Sequence, residues 1–356
     1  MVTSSHNRPG SPSSPAGSTL PPEPGGPRNA TGRPARPSPA SLGLPFRRRA
    51  GIWIRKSGAG PYLLLLPATA VIGALILYPA VQIGLFSFQN YGLMQISGVL
   101  PAQWVGWANY SQILHDPEFW ASLRISLYFA LVVVPLTLIV GTLVGLLLER
   151  LGPKMRTFVS LSAILAWATP AVSASVIFAW LVSPDGGVVD WALEKLPSWL
   201  GGGAHWAGYD WTNAALPAYT VLTVMLVWTG FPFVAVTVLA GLRTLPSELH
   251  EAARVDGAGP WRDFWKVTFP LLRPVFLVLA LLSTIWDFGM FTQAYIVTGQ
   301  LGNRDEYNLG LYEYSQAFTQ PPHYGLASAA AFVLTIILLI VTVGYIRAAV
   351  KQGALA

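Results

Sequence analysis

The sequence predicts an all-α membrane protein with six transmembrane helices and a disordered N-terminal arm. Three observations predict it. Only 11% of the residues are charged and 53% are hydrophobic, whereas a soluble domain carries about 25% charged residues. Six apolar stretches are long enough to cross a hydrocarbon core, which takes about 20 residues of helix. They are 62–86, 123–148, 158–182, 216–239, 271–297 and 326–346. Finally, lysine and arginine are distributed unevenly between alternate connecting loops.

Residues 1–46 are rich in Pro, Ser and Gly, with scattered Arg. Such a composition cannot bury enough apolar surface to offset its ordering entropy, so a disordered cytoplasmic arm is expected. A polyproline docking segment is disfavoured because nothing in the arm repeats as a docking motif. The membrane domain is expected to occupy 47–356. Its first apolar segment follows Arg47, Arg48, Arg49, Arg55 and Lys56, and Ala68-Thr69-Ala70 resembles a signal cleavage site. The run of about 25 residues exceeds the roughly 7 to 15 of a signal core, so it reads as an uncleaved anchor. Later segments contain Pro135, Pro170 and Pro232, which membrane helices tolerate when neighbours satisfy the freed backbone.

Charge sets the expected orientation. With the N-terminus in the cytoplasm, only Arg124, Lys195 and Arg304 of the 22 basic residues fall outside the inward-facing segments, as the positive-inside rule requires. Both termini and the insert at 241–270 are then cytoplasmic. The loops 87–122, 183–215 and 298–325 face outward. This bias accounts for the net charge of +6 without nucleic acid. Tryptophans of the outward loops, such as Trp104, Trp120 and Trp206, read as an interfacial belt. There is no cysteine, which excludes disulfides and thiolate metal sites.

The insert is polar between two apolar runs. Pro246 suits the first turn of a helix, Glu248 and Glu251 complement its positive end, and Glu251 and Arg254 are spaced to pair. Ala252 and Ala253 keep one surface shallow. Asp256-Gly257 ends the helix, because Gly takes the left-handed cap conformation. Pro260 starts a second short helix, with Trp261, Phe264 and Trp265 on its apolar side, and Pro270 marks the start of the fifth membrane segment. Periodicity alone leaves two readings open, a hairpin on the bilayer surface and a helix docked in a partner's groove.

Asp287 is the one acid well inside an apolar segment. Such groups face a cavity on a transport path or bond a neighbouring helix, and both readings stay open. Trp286, Gln293 and Tyr295 lie near it in sequence and add stacking and amide chemistry. His115 lies close to Asp116 and Glu118, but Pro117 breaks any helical ligand spacing, so no metal site is expected. No nucleophile elbow or metalloprotease motif is present.

The insert is similar to the EAA loop of binding-protein-dependent ABC transporter permeases. Glu251-Ala252-Ala253 is followed after three residues by Gly257, and after nine more by Val267, Phe269 and Pro270. Phe269 stands where the family usually has Leu. The lead-in GLRTLPSELHEAARVDGA resembles the carbohydrate-uptake branch, and the resemblance extends over about 60–350. It includes Val105 to Tyr110, Asp116 to Trp120, Ala168 to Val172, Ser183 to Gly187, Leu311 to Phe318 and Tyr324 to Ala329. Many relatives have Asp where Thr292 stands and a Gly-Gly-Pro turn where this chain has Gly299-Gln300-Leu301.

The resemblance implies the ABC importer permease fold, in a bacterial cytoplasmic membrane. It implies a sugar permease, fed by an extracytoplasmic sugar-binding protein and paired with a second, non-identical permease. It also implies a dimer of ATPase subunits carrying the ATP and Mg, since no G-x-x-x-x-G-K-[ST] loop occurs here. Coupling is expected at Glu251, Ala252, Ala253, Asp256, Gly257 and Pro270, and the substrate path at Trp286, Asp287, Gln293 and Tyr295. The chain itself is then no enzyme and holds no cofactor. The alternative, a stand-alone secondary transporter of a small polar solute, would want more than one buried ionisable group.

Overall fold

The computed structural model describes residues 60–351 except 213, 300, 302 and 303. The expected arm at 1–46 and the basic approach at 47–59 lie outside the described residues. By internal contacts the chain divides into residues 1–67 and 68–356. Of the first unit, only the opening of helix α1 (Gly60–Ile72) is described.

Beyond α1 come a π turn (Gly73–Leu77) and α2 (Tyr78–Phe86). Two short strands follow, β1 (Gln89–Asn90) and β2 (Gln103–Trp104), paired antiparallel and flanking α3 (Leu93–Ile96). Then come α4 (Ala108–His115), α5 (Pro117–Arg150), α6 (Pro153–Trp167), α7 (Ala171–Leu181) and α8 (Val188–Lys195). The remainder is α9 (Ala215–Leu242), α10 (Ser247–Val255), α11 (Pro260–Asp263), α12 (Phe269–Phe288), α13 (Thr292–Val297), α14 (Leu309–Phe318) and α15 (Tyr324–Lys351).

Among the described residues, five continuous helices are long and apolar enough to cross a membrane. They are Leu65–Phe86, Pro117–Arg150, Ala215–Leu242, Pro260–Phe288 and Tyr324–Lys351. The third expected segment is not one straight helix. It is the pair α6 and α7, bent by 91°. Pro170 lacks an N–H and its ring disfavours helical backbone at Thr169, so the ladder stops at Ala168 and restarts at Ala171.

The fifth segment also differs, at both ends. Its helix stops at Phe288 before Gly289, and residues 292–297 form the separate α13. At its start, a π turn (Phe264–Thr268) joins α11 directly to α12. The second short helix expected in the insert is therefore the first turn of the span, and Pro270 lies inside it. The wide turn sits just before Pro270, where the missing N–H would interrupt an α ladder.

The tightest helix pairing joins α5 to α9. A Cβ on Gly141 would lie 2.5 Å from the Val234 side chain, and one on Gly145 would lie 2.9 Å from the Ala235 carbonyl. Membrane helices associate through such small-residue steps because lipid supplies no hydrophobic drive between them. Two buried clusters flank this pair, Val234 and Val238 with Leu272 and Leu279, and Leu148 with Ala235 and Leu239. A third contains Phe129, Val133, Leu222, Met225, Met290 and Leu311, and a fourth contains Ile113, Phe119, Phe288, Leu309 and Tyr312.

Polar clamps fix the connections near these cores. Asn109 Nδ2 donates to the carbonyls of Ser87 and Gln89, both at 2.9 Å, which ties α4 to β1. Asp116 caps α5 by accepting from Glu118 N at 2.9 Å, and its other oxygen accepts from the Tyr312 hydroxyl at 2.8 Å. Ser126 Oγ accepts from Leu309 N at 2.9 Å, which seats α14 on α5.

Candidate functional site

The insert presents one exposed surface. Pro246 is the N-cap of α10 rather than part of its first turn, and Glu248 occupies that turn. The helix ends as the sequence suggests. Gly257 has φ +78°, its N–H reaches Arg254 O at 3.0 Å, and Ala258 N reaches Ala253 O at 2.9 Å. A Cβ at Gly257 would meet nothing within 4 Å, so backbone conformation and not space demands glycine there. Glu251, Ala252, Asp256 and Gly257 are exposed and Ala253 is half-buried. Val255 is 88% exposed, an unusual position for a large apolar side chain without a partner.

The Glu251–Arg254 ion pair expected from spacing does not form. The side-chain contact that links the insert's helices is instead His250 Nδ1 with the Asp263 carboxylate, 2.9 Å from Oδ2 and 3.0 Å from Oδ1. It binds α10 to α11, and so to the helix that continues unbroken to Phe288. The residues are 13 apart in sequence, a separation that no helical spacing rule connects. Pro270 lies within the continuous helix Pro260–Phe288.

Within the spans, Trp286, Asp287 and Gln293 line one cavity of about 200 Å³, together with Thr137, Trp167 and Thr229. Asp287 makes no hydrogen bond or ion pair with any described residue, and Thr137 Oγ1 is buried without a partner. Among the described residues, Asp287 is the only ionisable one lining this space. Phe233 links its two indoles, at 5.3 Å from Trp167 and 5.7 Å from Trp286 between ring centres. The bend after Trp167 brings that indole to the cavity. Sequence reasoning missed Thr137 and Trp167, because both lie more than 100 residues before Asp287 in the chain.

Tyr295 is not among the residues lining this cavity. It packs against Phe291 and Tyr314 at 5.1 and 5.2 Å. Beside that cluster, Glu313 lies in a separate cavity of about 480 Å³ with Tyr91, Phe291, Phe318 and Tyr324. Its Oε1 is buried without a partner, and burial pushes its carboxyl up to about 8.

A family model described as the binding-protein-dependent transport system inner membrane component matches residues 138–354. The chain is 40% identical over 304 residues to the diacetylchitobiose uptake system permease protein DasB of Streptomyces coelicolor, covering 85% of this chain and 90% of that one. It is 34% identical to the sulfoquinovosyl glycerol transport system permease protein SmoG of Agrobacterium fabrum, over 80% and 88% of the two chains. A crystal structure of a bacterial ABC transporter that imports alginate shares the fold, with a TM-score of 0.68 at 18% identity, over 85% and 99% of the chains. The family match runs from the glycine step of α5 through the insert and the Asp287 cavity to the end of α15, and with the close relatives it makes this multi-pass chain a member of the binding-protein-dependent transport system inner membrane components.

Proposed function

We propose that this chain forms one half of the membrane path of an ATP-driven importer. It would move a mono- or oligosaccharide handed over by an extracytoplasmic sugar-binding protein. The observation that carries this reading is the cavity at Asp287. Its free carboxylate accepts from sugar hydroxyls, the Gln293 amide both donates and accepts, and Thr137 Oγ1 has an unused bond. Trp286 and Trp167 offer aromatic faces to the C–H side of a pyranose. Relatives named for diacetylchitobiose and sulfoquinovosyl glycerol support a carbohydrate.

A lone acid in this cavity suits hydroxyl recognition better than a proton relay, which runs through chains of ionisable groups. This disfavours the secondary transporter. The cavity is also smaller than the roughly 300 to 1,000 Å³ of a typical ligand site, so a second permease, non-identical to this one, completes the path. The membership makes the chain a transport component and not an enzyme. ATP and Mg would reside in two ATPase subunits that dock on Glu251, Ala252, Ala253, Asp256 and Gly257, on the cytoplasmic side with both termini.

Force from ATPase closure would enter α10, cross the His250–Asp263 contact and travel along the helix Pro260–Phe288. Its 29 residues span about 43 Å at 1.5 Å each, and Asp287 sits at the far end. A rigid helix therefore joins the docking surface to the cavity.

The test is uptake by the assembled transporter in vesicles, with liganded binding protein outside and ATP inside. Asp287→Asn keeps the side-chain volume and removes the charge. Hydrogen bonds to charged groups contribute about 1.5 to 3 kcal/mol, so uptake at limiting sugar should fall about ten- to a hundredfold, with ATPase assembly intact. Uptake equal to the parent would refute the role of Asp287. Uptake without ATP would refute the importer.

A further inference from the structure

A second groove, of about 640 Å³, shares no lining residue with the Asp287 cavity. On α5 it is lined by Leu138, Thr142, Leu146 and Arg150, and their four-residue spacing places them along one face. On α12 it is lined by Phe269, Arg273, Phe276 and Ala280. Trp261 and Trp265 add to its wall beside the start of α12. The wall is apolar over most of its length, with Arg150 at the end that Pro260 and Phe264 also line and Arg273 further along, between Phe269 and Phe276. Neither arginine takes part in an ion pair among the described residues, and both are exposed.

We propose that this groove holds an acyl chain of an anionic phospholipid from the cytoplasmic leaflet, with the phosphodiester at Arg150 and Arg273. Length, charge and aromatic placement agree on this occupant. From Leu138 to Arg150 the helix rises about 18 Å, close to one leaflet of a hydrocarbon core about 30 Å thick. The charge bias of the loops puts the arginine end in the inner headgroup region, where basic pockets between membrane helices select anionic headgroups. Trp261 and Trp265 belong at that depth, with the ring in the acyl boundary and the indole N–H towards water. A free phosphate would leave the apolar length empty, and a protein helix would leave both arginines without an anion. Because Trp261 and Trp265 also begin the helix that receives α10, the lipid would brace the docking loop from the membrane side.

The test uses the full transporter in detergent with equal amounts of phosphatidylglycerol and phosphatidylcholine of identical chains. Bound lipid is read by native mass spectrometry. The parent should retain phosphatidylglycerol in preference by on the order of tenfold. Arg150→Gln with Arg273→Gln should abolish the preference, and Ala280→Phe, which fills the groove, should lower retention of both lipids. Photoactivatable phosphatidylglycerol on the parent should label α5 and α12 along the groove, a readout that needs no variant. Equal retention of the two lipids by the parent, an unchanged preference in the double variant, displacement by inorganic phosphate, or labelling elsewhere would each overturn the proposal.

Discussion

Asp116 serves two elements at once. One oxygen caps α5 and the other holds the buried Tyr312 of α14. Asp116→Ala removes the cap, worth about 1 kcal/mol, and a bond to a buried hydroxyl, so a loss of about 1 to 3 kcal/mol in unfolding free energy is expected in mixed micelles. Asp116→Asn should recover most of the cap. Glu313 makes a prediction of opposite character. Its folded carboxyl titrates near 8 against an ordinary value of 4.5, so the folded state holds its proton more tightly than the unfolded chain does. The associated stability is full below about 4.5 and is lost as pH rises through about 8. The thermal midpoint of the parent should therefore fall across that window relative to Glu313→Gln, whose profile lacks this component. Parallel profiles for the two proteins would remove Glu313 from the account.

At the scale of elements, the α5–α9 contact depends on glycine at 141 and 145, where an added Cβ would strike Val234 and Ala235. Gly145→Leu should force the helices apart and cost several kcal/mol, read as loss of folded protein after extraction. Gly152, whose Cβ position is open, should accept Ala without effect. The His250–Asp263 contact makes a separate prediction. His250→Ala removes a partly exposed bond worth about 1 kcal/mol, too little to unfold the chain. It should lower the amount of sugar moved per ATP hydrolysed, because α10 then loses its side-chain link to α11. An unchanged ratio would mean that backbone continuity alone transmits the motion. This contact was not legible in the sequence, where Glu251 and Arg254 offered the better spacing. Helical spacing rules describe neighbours on one helix, whereas His250 and Asp263 meet across a turn set by Gly257.

At the scale of the whole molecule, the chain leaves much of its apolar surface uncovered. No residue from Val71 to Phe86 is buried, and Leu75, Ile76 and Leu77 are each more than 60% exposed. Lipid is a surrounding that such a surface fits. Gly257 gives the prediction that belongs to this scale. Its positive φ costs a β-branched residue at least about 1 to 2 kcal/mol, and the open space around it means no clash inside the chain. Gly257→Val should leave membrane abundance normal and abolish uptake by distorting the surface offered to the ATPase. Normal uptake in that variant would end the docking role.

The sequence by itself determined the six apolar segments, the expected sidedness of the loops and the family, through the Glu251 to Pro270 spacing. Hydropathy, loop charge and a contiguous motif are properties of neighbouring residues and need no tertiary contact to be read. Only the tertiary structure decided that the third segment turns by 91° at Pro170 and that the insert's second helix runs on through Pro270 into the fifth span. It also brought Thr137 and Trp167 to Asp287, left Tyr295 off that cavity's lining, and buried Glu313 Oε1 without a hydrogen-bond partner among the described residues. These outcomes depend on which side chains from distant segments share a space and on how the chain accommodates a missing backbone donor. Local pattern does not encode either.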